Sequence, residues 1–364
     1  MNSSMTALAD ALIAARRNNR TLDAAPWTDA LQDATQAYEV QDAVAAALGW
    51  FGDDGAVPRH WKSGGGSRSA TLTHAPLPPA GVRASPADFS DLAFHVPGIE
   101  AEIALRLGQD VTPAQAAQLD HGDAASLIDA MAVSVEIVDS RWQDLAATPA
   151  LLRLADSQVH GALAIGEWQS YAAVDWASQR CETKVGNAET VVREGTHPLA
   201  DPAWLLPAWL RHVTRHGQTA PAGTVVTTGS WVGIVPCRRG DQVAVEFAGI
   251  GALRLSVSRP PPTPEYATRK SSTARTRAGK VPALPMYTAW IGSTSPGLNS
   301  SSSGTSRPAS MSCWTWYSDN RATPAPAMAS WRRVSPSPAR TGPDTGSETI
   351  RPSTRKGQSG VLRR

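Results

Sequence analysis

The chain changes character at about Val257, and that break limits what can fold. From Arg259 onward sixteen Lys and Arg face four acids (Glu265, Asp319, Asp344, Glu348), a net of +12. The formal charge of the whole chain is +2, so the remainder carries −10. The basic part consists of stretches such as RPPPTPEYATRKSSTARTRAGK and LNSSSSGTSRPAS, rich in Ser, Pro, Arg and Thr and without a sustained period. Such composition buries too little apolar surface to offset chain entropy, so residues 258–364 are expected to be a disordered tail. Its basic residues are dispersed and no nucleic-acid-binding motif accompanies them, which argues against a nucleic-acid partner. An extension without function, or an out-of-frame run, is the expected reading.

Before the break the sequence divides into a helical region over residues 1–60 and a β-rich region over 61–257. ALADALIAARR and DATQAYEVQDAVAAALGW repeat apolar residues at helical spacing, with Tyr38, Val40, Val44 and Leu48 as the candidate buried face. HWKSGGGSRSATLTH reads as a loop, HAPLPPAGVRASP as an extended connection, and AASLIDAMA as a helix running into the strand VSVEIVDSRW. LLRLADSQVHGALAIGEW reads as a loop and then a strand. In THPLADPAWLLPAWLRHVTRHG, Asp201 is placed to cap a helix, Pro202 stands at its first position, and Pro207 should kink or shorten it. Short strands separated by Gly and Pro turns fill the stretch up to Val257. The expected class is α+β. Three scattered cysteines make neither a disulfide framework nor a zinc pattern, and no apolar run approaches membrane length. A cytoplasmic protein with no membrane partner is expected.

GIEAEIALRLG, from Gly98 to Gly108, places Glu100 and Glu102 two residues apart in a run with the period of a half-buried strand. Residues i and i+2 of a strand share a face, so the two carboxylates leave the sheet side by side. Either they point into solvent, or a cation offsets their repulsion. Glu136, flanked by Val135 and Ile137, is a third acid in apolar surroundings. Three converging carboxylates suit a hard divalent ion, Mg²⁺ or Mn²⁺. On the residues alone, Asp139 could replace Glu136 as third ligand, or Glu136 could be a buried acid paired with Arg141.

AYEVQ, WKSGGGSR, IEAEIALRL, VEIVDSR, LADSQVHG, HPLADPAWL, AGTVVTTGS and GDQVAVEFAGIGALRLSV occur in the order found in the fumarylacetoacetate hydrolase superfamily. They most resemble its 2-keto-4-pentenoate hydratase branch, over roughly Asp33 to Val257. The resemblance implies a mixed β-roll fold, with Glu100, Glu102 and Glu136 as ligands of Mg²⁺ or Mn²⁺. It implies Lys62 as a catalytic proton carrier of depressed pKa, with Asp139 and Arg141 supporting the catalytic site. Ser63, Gly64, Asp156, Ser157, Thr228, Gly229 and Ser230 would meet a small 2-oxo acid, Gln158 lying in the same polar loop. His160 and His197 are read as structural. The implied activity is hydration of a 2-oxo-4-enoate of the 2-hydroxypenta-2,4-dienoate type, in the breakdown of aromatic compounds. Rivals are a 2-oxo-3-enedioate decarboxylase, an acylpyruvate hydrolase and a catalytically silent member that binds a 2-oxo acid. A homo-oligomer is expected by resemblance. The sequence departs from the branch in two places: HAPLPPAGV carries no acid where hydratases commonly have one, and WKSGGGSR differs from their usual lysine loop.

Overall fold

The computed structural model describes residues 1–52, 56–172 and 174–257. The tail expected to be disordered lies outside the described residues. Two helices open the chain, α1 (Ser3–Arg17) and α2 (Ala34–Ala47). The side chains of Asn2 and Asp33 cap them, each accepting a hydrogen bond at 2.9 Å from the amide three residues on. Met5, Leu8, Leu12 and Ile13 of α1 pack with Val40 and Val44 of α2, and with Trp142, Leu152 and Leu154 from later in the chain. Val40 and Val44 are buried as expected, whereas Tyr38 and Leu48 are half-buried. Leu8 is fully buried in this cluster, so Leu8→Ala should destabilise the protein by about 2–5 kcal/mol through the lost contacts and the cavity. Denaturant midpoints at unchanged m-value would measure that loss.

In chain order the next strands are β1 (His60–Gly64), β2 (Thr73–Pro76), β3 (Val82–Ala84), β4 (Ala87–Asp88) and β5 (Gly98–Leu107). Then follow α3 (Pro113–Gln118), β6 (Ile128–Val138), α4 (Ala150–Ala155), β7 (His160–Ile165) and β8 (Gln169–Ser170). The last are β9 (Arg180–Val185), β10 (Val191–Glu194), α5 (Leu206–Val213), β11 (Val225–Thr227), β12 (Val235–Pro236), β13 (Gln242–Phe247) and β14 (Gly251–Ser256). Among the described residues these strands form two sheets. The larger runs β2-β1-β11-β5-β6-β7-β3, with β12 on β5 and β8 on β6; the smaller runs β10-β9-β13-β14-β4. The fold is a mixed α+β arrangement, and no described helix is long and apolar enough to cross a membrane.

Several local expectations change. The AASLIDAMA segment is not a helix running into a strand: a short 3-10 turn spans Ala124–Leu127 and β6 begins at Ile128. Pairing of β6 with nearly the whole length of β5 outweighs the helical preference of its alanines. The segment expected as a loop before β7 holds α4, too short to show a helical period. The WKSGG stretch expected as loop is largely strand β1, paired parallel to β11 and antiparallel to β2. Asp201 does cap, accepting from Ala203 N at 2.8 Å, but the turn it starts ends at Leu205 and α5 begins afresh with Pro207 in its first turn. β5 was expected to be half-buried and is covered on both faces.

Candidate metal centre

The β5–β6 register places Glu100 directly opposite Glu136, and Glu102 opposite Ser134. Alternation then sets all three carboxylates on one face of the larger sheet. The other face of β5, with Ala101, Ile103 and Leu105, joins the main apolar core. One oxygen from each glutamate lies within 4.8 Å of the other two, and all three residues are buried. Like charges facing across a strand pair repel. Without compensation the triad would be one of the costliest features of the fold.

Part of the compensation comes from Lys62 on β1. Its Nζ donates to Glu136 Oε1 at 2.7 Å and to the Gln158 carbonyl at 3.2 Å. His160 Nδ1 donates to the same Glu136 oxygen at 2.9 Å. Burial opposes the charge on Glu136, but Lys62 and His160 outweigh it and its pKa is lowered. Glu102 goes the other way: burial, then the charges of Glu136 and Glu100, push it up to about 8. Glu102 Oε2 accepts from Gly229 N at 2.9 Å and from the Thr227 hydroxyl, which also contacts Ser134 Oγ at 2.8 Å. Glu136 Oε2 is buried with no hydrogen-bond partner among the described residues. An orphaned carboxylate oxygen beside a carboxylate that holds its charge poorly fits a cation-binding site. The all-oxygen donor set suits a hard divalent ion.

A cavity of about 730 Å³ opens onto this face. Lys62, Ser63, Gly64, Glu100, Glu102 and Gly229 line it, as do Gln158 and Val159. Gly229 sits at φ +107°, a backbone region that excludes most side chains and here aims its amide at Glu102. Other expected site residues stand back from the cavity. Asp139 Oδ1 accepts from His95 N and Val96 N at 2.8 and 2.9 Å, shaping a segment that itself lines the cavity. Arg141 Nε pairs with Asp156 Oδ1 at 2.7 Å. Ser157 occupies a left-handed turn with φ +52°. The Thr228 hydroxyl donates to the Ile103 carbonyl and the Ser230 hydroxyl to the Gly233 carbonyl. His197 Nε2 donates to the Thr228 carbonyl at 2.9 Å, fixing the same turn.

Residues 60–258 match the family model described as fumarylacetoacetate (FAA) hydrolase C-terminal. The chain belongs to this family. A curated relative, 4-oxalocrotonate decarboxylase of a Pseudomonas species, is 28% identical over 183 residues, which is 46% of this chain. The match spans 64% of that relative, just under two thirds of its length. The solved structure of 4-oxalocrotonate decarboxylase from Pseudomonas putida G7, complexed with magnesium and adipate, superposes with a TM-score of 0.58. Its sequence is 23% identical, and the match covers 69% of this chain and 96% of that one. The same enzyme complexed with calcium and acetate gives a TM-score of 0.58 at 23% identity, over 70% and 98% of the two chains. At that identity the likeness is one of fold. It confirms a fumarylacetoacetate hydrolase type of architecture for the described residues.

Sequence reasoning passed over Thr227, although it directly precedes the Thr228–Ser230 turn that drew attention. It also passed over Arg153, 5% exposed and lining the cavity, and Arg16, whose Nη2 reaches Asp156 Oδ1 at 2.9 Å. An arginine in the last turn of a helix looks from sequence like an ordinary C-terminal charge. Nothing local marks it as part of a buried cluster 140 residues away.

Proposed function

We propose that the chain is a divalent-metal-dependent decarboxylase of a 2-oxo-3-enedioate, acting in aromatic-compound breakdown. The supporting observation is a single cavity in which Glu100 and Glu102, two members of the buried carboxylate triad, and Lys62 share space with the apolar Val138, Trp142, Leu145, Val159 and Val232. Glu100, Glu102 and Glu136 would hold Mg²⁺ or Mn²⁺. When bound, that cation supplies Lewis-acid polarisation of the 2-oxo group. The magnesium-complexed structure of similar fold supports this choice of metal.

The chain's own groups account for the rest. An apolar wall disfavours a localised carboxylate more than a delocalised anion, so it favours loss of the distal carboxylate as CO₂. The bond from C5 to the distal carboxyl carbon breaks, and its electron pair spreads over C5 to C2 and the 2-oxo oxygen. Lys62 Nζ delivers one proton to that oxygen, giving a 2-hydroxy-2,4-dienoate. Two acceptors, Glu136 Oε1 and the Gln158 carbonyl, hold Nζ in place for the transfer. Ser63, which shares a 2.8 Å hydrogen bond with His74 Nδ1, and Gly64 present hydroxyl and backbone to the substrate. Arg153 adds a second cation to the cavity, which suits a dianion. Hydration, the reaction put first by the resemblance, is the second reading: His95 and Asp144 line the cavity and could place a water beside C4.

Purified protein with Mg²⁺, given the six-carbon 2-oxo-3-enedioate and 2-hydroxypenta-2,4-dienoate in parallel, should release CO₂ from the first and leave the second unhydrated. A 4-hydroxy-2-oxo acid from the second substrate, without CO₂ from the first, would overturn the decarboxylase in favour of the hydratase. Arg153→Met should raise KM for the dioate by about tenfold, the weight of one charge-assisted hydrogen bond. It should leave proton exchange on a monoacid unchanged. Steady-state kinetics on both substrates check this.

A further inference from the structure

Asp156 ends α4 with a carboxylate that is fully buried and held by two arginines. Arg141 donates from Nε to Oδ1 at 2.7 Å and from its backbone amide to Oδ2 at 3.0 Å. Arg16, from the last turn of α1, donates from Nη2 to Oδ1 at 2.9 Å and approaches the Asp156 carbonyl at 3.4 Å. The next three residues, Ser157, Gln158 and Val159, all have left-handed backbones at φ +52°, +52° and +56°. None is a glycine and Val159 is β-branched, so this run is strained and does not persist without outside support. It is tied to the candidate metal centre by hydrogen bonds. The Gln158 carbonyl accepts from Lys62 Nζ at 3.2 Å, and the Gln158 side chain donates to Thr73 Oγ1 at 2.6 Å. The Val159 carbonyl accepts from Asp139 N at 2.9 Å. His160, the next residue, holds the same Glu136 oxygen as Lys62.

We infer that Arg16 is a positioning residue for Lys62. Through Asp156 it holds the left-handed turn in the conformation that presents the Gln158 carbonyl to Nζ. The N-terminal helical hairpin, which precedes the matched residues 60–258, is then part of the working site. The inference rests on the reading of Lys62 as proton carrier. Arg16 is not what packs the hairpin: Met5, Leu8, Leu12 and Ile13 do that against α2 and α4. Its guanidinium lies 5.0 Å over the Trp50 ring, so the hairpin itself fixes where the charge can reach. Removing the charge should therefore release the turn and leave the fold standing.

The test uses the full chain with Mg²⁺, as wild type, Arg16→Met and Arg16→Lys. Amide hydrogen exchange reads the turn itself, at Val159 N (bonded to the Asp156 carbonyl) and Asp139 N, with β5 amides as internal reference. Exchange of C3 protons with solvent deuterium on a saturated 2-oxo acid, followed by NMR, reads Lys62. In Arg16→Met the turn amides should exchange at least about tenfold faster while β5 amides keep their rates. The kcat for C3 exchange should fall by roughly 10², the scale for a misplaced catalytic group, with KM within about twofold. Arg16→Lys should recover most of that loss. Unchanged turn protection in Arg16→Met overturns the clamp, and faster turn exchange with wild-type kcat overturns its role in positioning Lys62. If wild type exchanges no C3 protons, the reading of Lys62 fails instead, and the amide measurement still decides whether Arg16 holds the turn.

Discussion

Glu136→Gln should abolish divalent-metal-dependent turnover, and no other change in the carboxylate cluster should do so more completely. Glu136 is the point where the site's charges meet. Its Oε1 takes hydrogen bonds from Lys62 and His160, and its buried Oε2 has no partner among the described residues. A carboxamide keeps the shape but loses the charge, and its NH₂ group cannot bind a cation. Turned one way it faces Lys62 Nζ, donor against donor; turned the other it points at the metal position. Affinity for Mn²⁺ should fall by at least about 10²-fold, above the 10- to 100-fold range for changes beside a ligand. Glu100→Gln and Glu102→Gln should also stop turnover, since each removes one of the three clustered carboxylates. Asp139→Asn is the contrasting variant. Its oxygen is occupied by the His95 and Val96 amides, so the metal should still bind measurably. Titration calorimetry with Mn²⁺ on these four variants separates the cases. Metal lost in Asp139→Asn and kept in Glu136→Gln would show that the third ligand has been misassigned.

What the sequence revealed of this site follows the range of the forces involved. The pairing of Glu100 with Glu102 was readable because a strand's period of two is a local property. Choosing Glu136 over Asp139 was not local: it depends on a β5–β6 register that puts Glu100 opposite Glu136. Before the family resemblance entered, both acids stayed open for that reason. The boundary of β6 was misread because Ala124–Met131 has helical propensity, and only long-range pairing makes Ile128 onward a strand. The left-handed run at Ser157–Val159 could not be read at all. None of the three residues favours that region, and the groups that hold it there come from α1, β2 and the segment after β6. Residues that act on the site through contacts distant in sequence are the ones periodicity cannot reach.

Lys62→Met separates holding the metal from moving the proton. The three glutamates would matter to any reaction that uses the cation, whereas Lys62 is itself a cation and a poor ligand for another. Methionine keeps much of the side-chain length and removes the charge. Glu136 then loses the ammonium that competes for its Oε1, and the triad's negative charge is less compensated. Mn²⁺ should therefore bind at least as tightly as in wild type. Turnover should nonetheless fall by roughly 10²–10⁴, the usual contribution of a positioned acid–base group. The loss should appear in kcat, because a proton carrier acts after the substrate is bound. Deuterium exchange at C3 of a saturated 2-oxo acid reports the same group without requiring decarboxylation or hydration, so the result does not depend on which reaction the cavity performs. Should Lys62→Met exchange at the wild-type rate, Lys62 is not the proton carrier. His160, bound to the same Glu136 oxygen and with its Nε2 lacking a partner among the described residues, would then take that role.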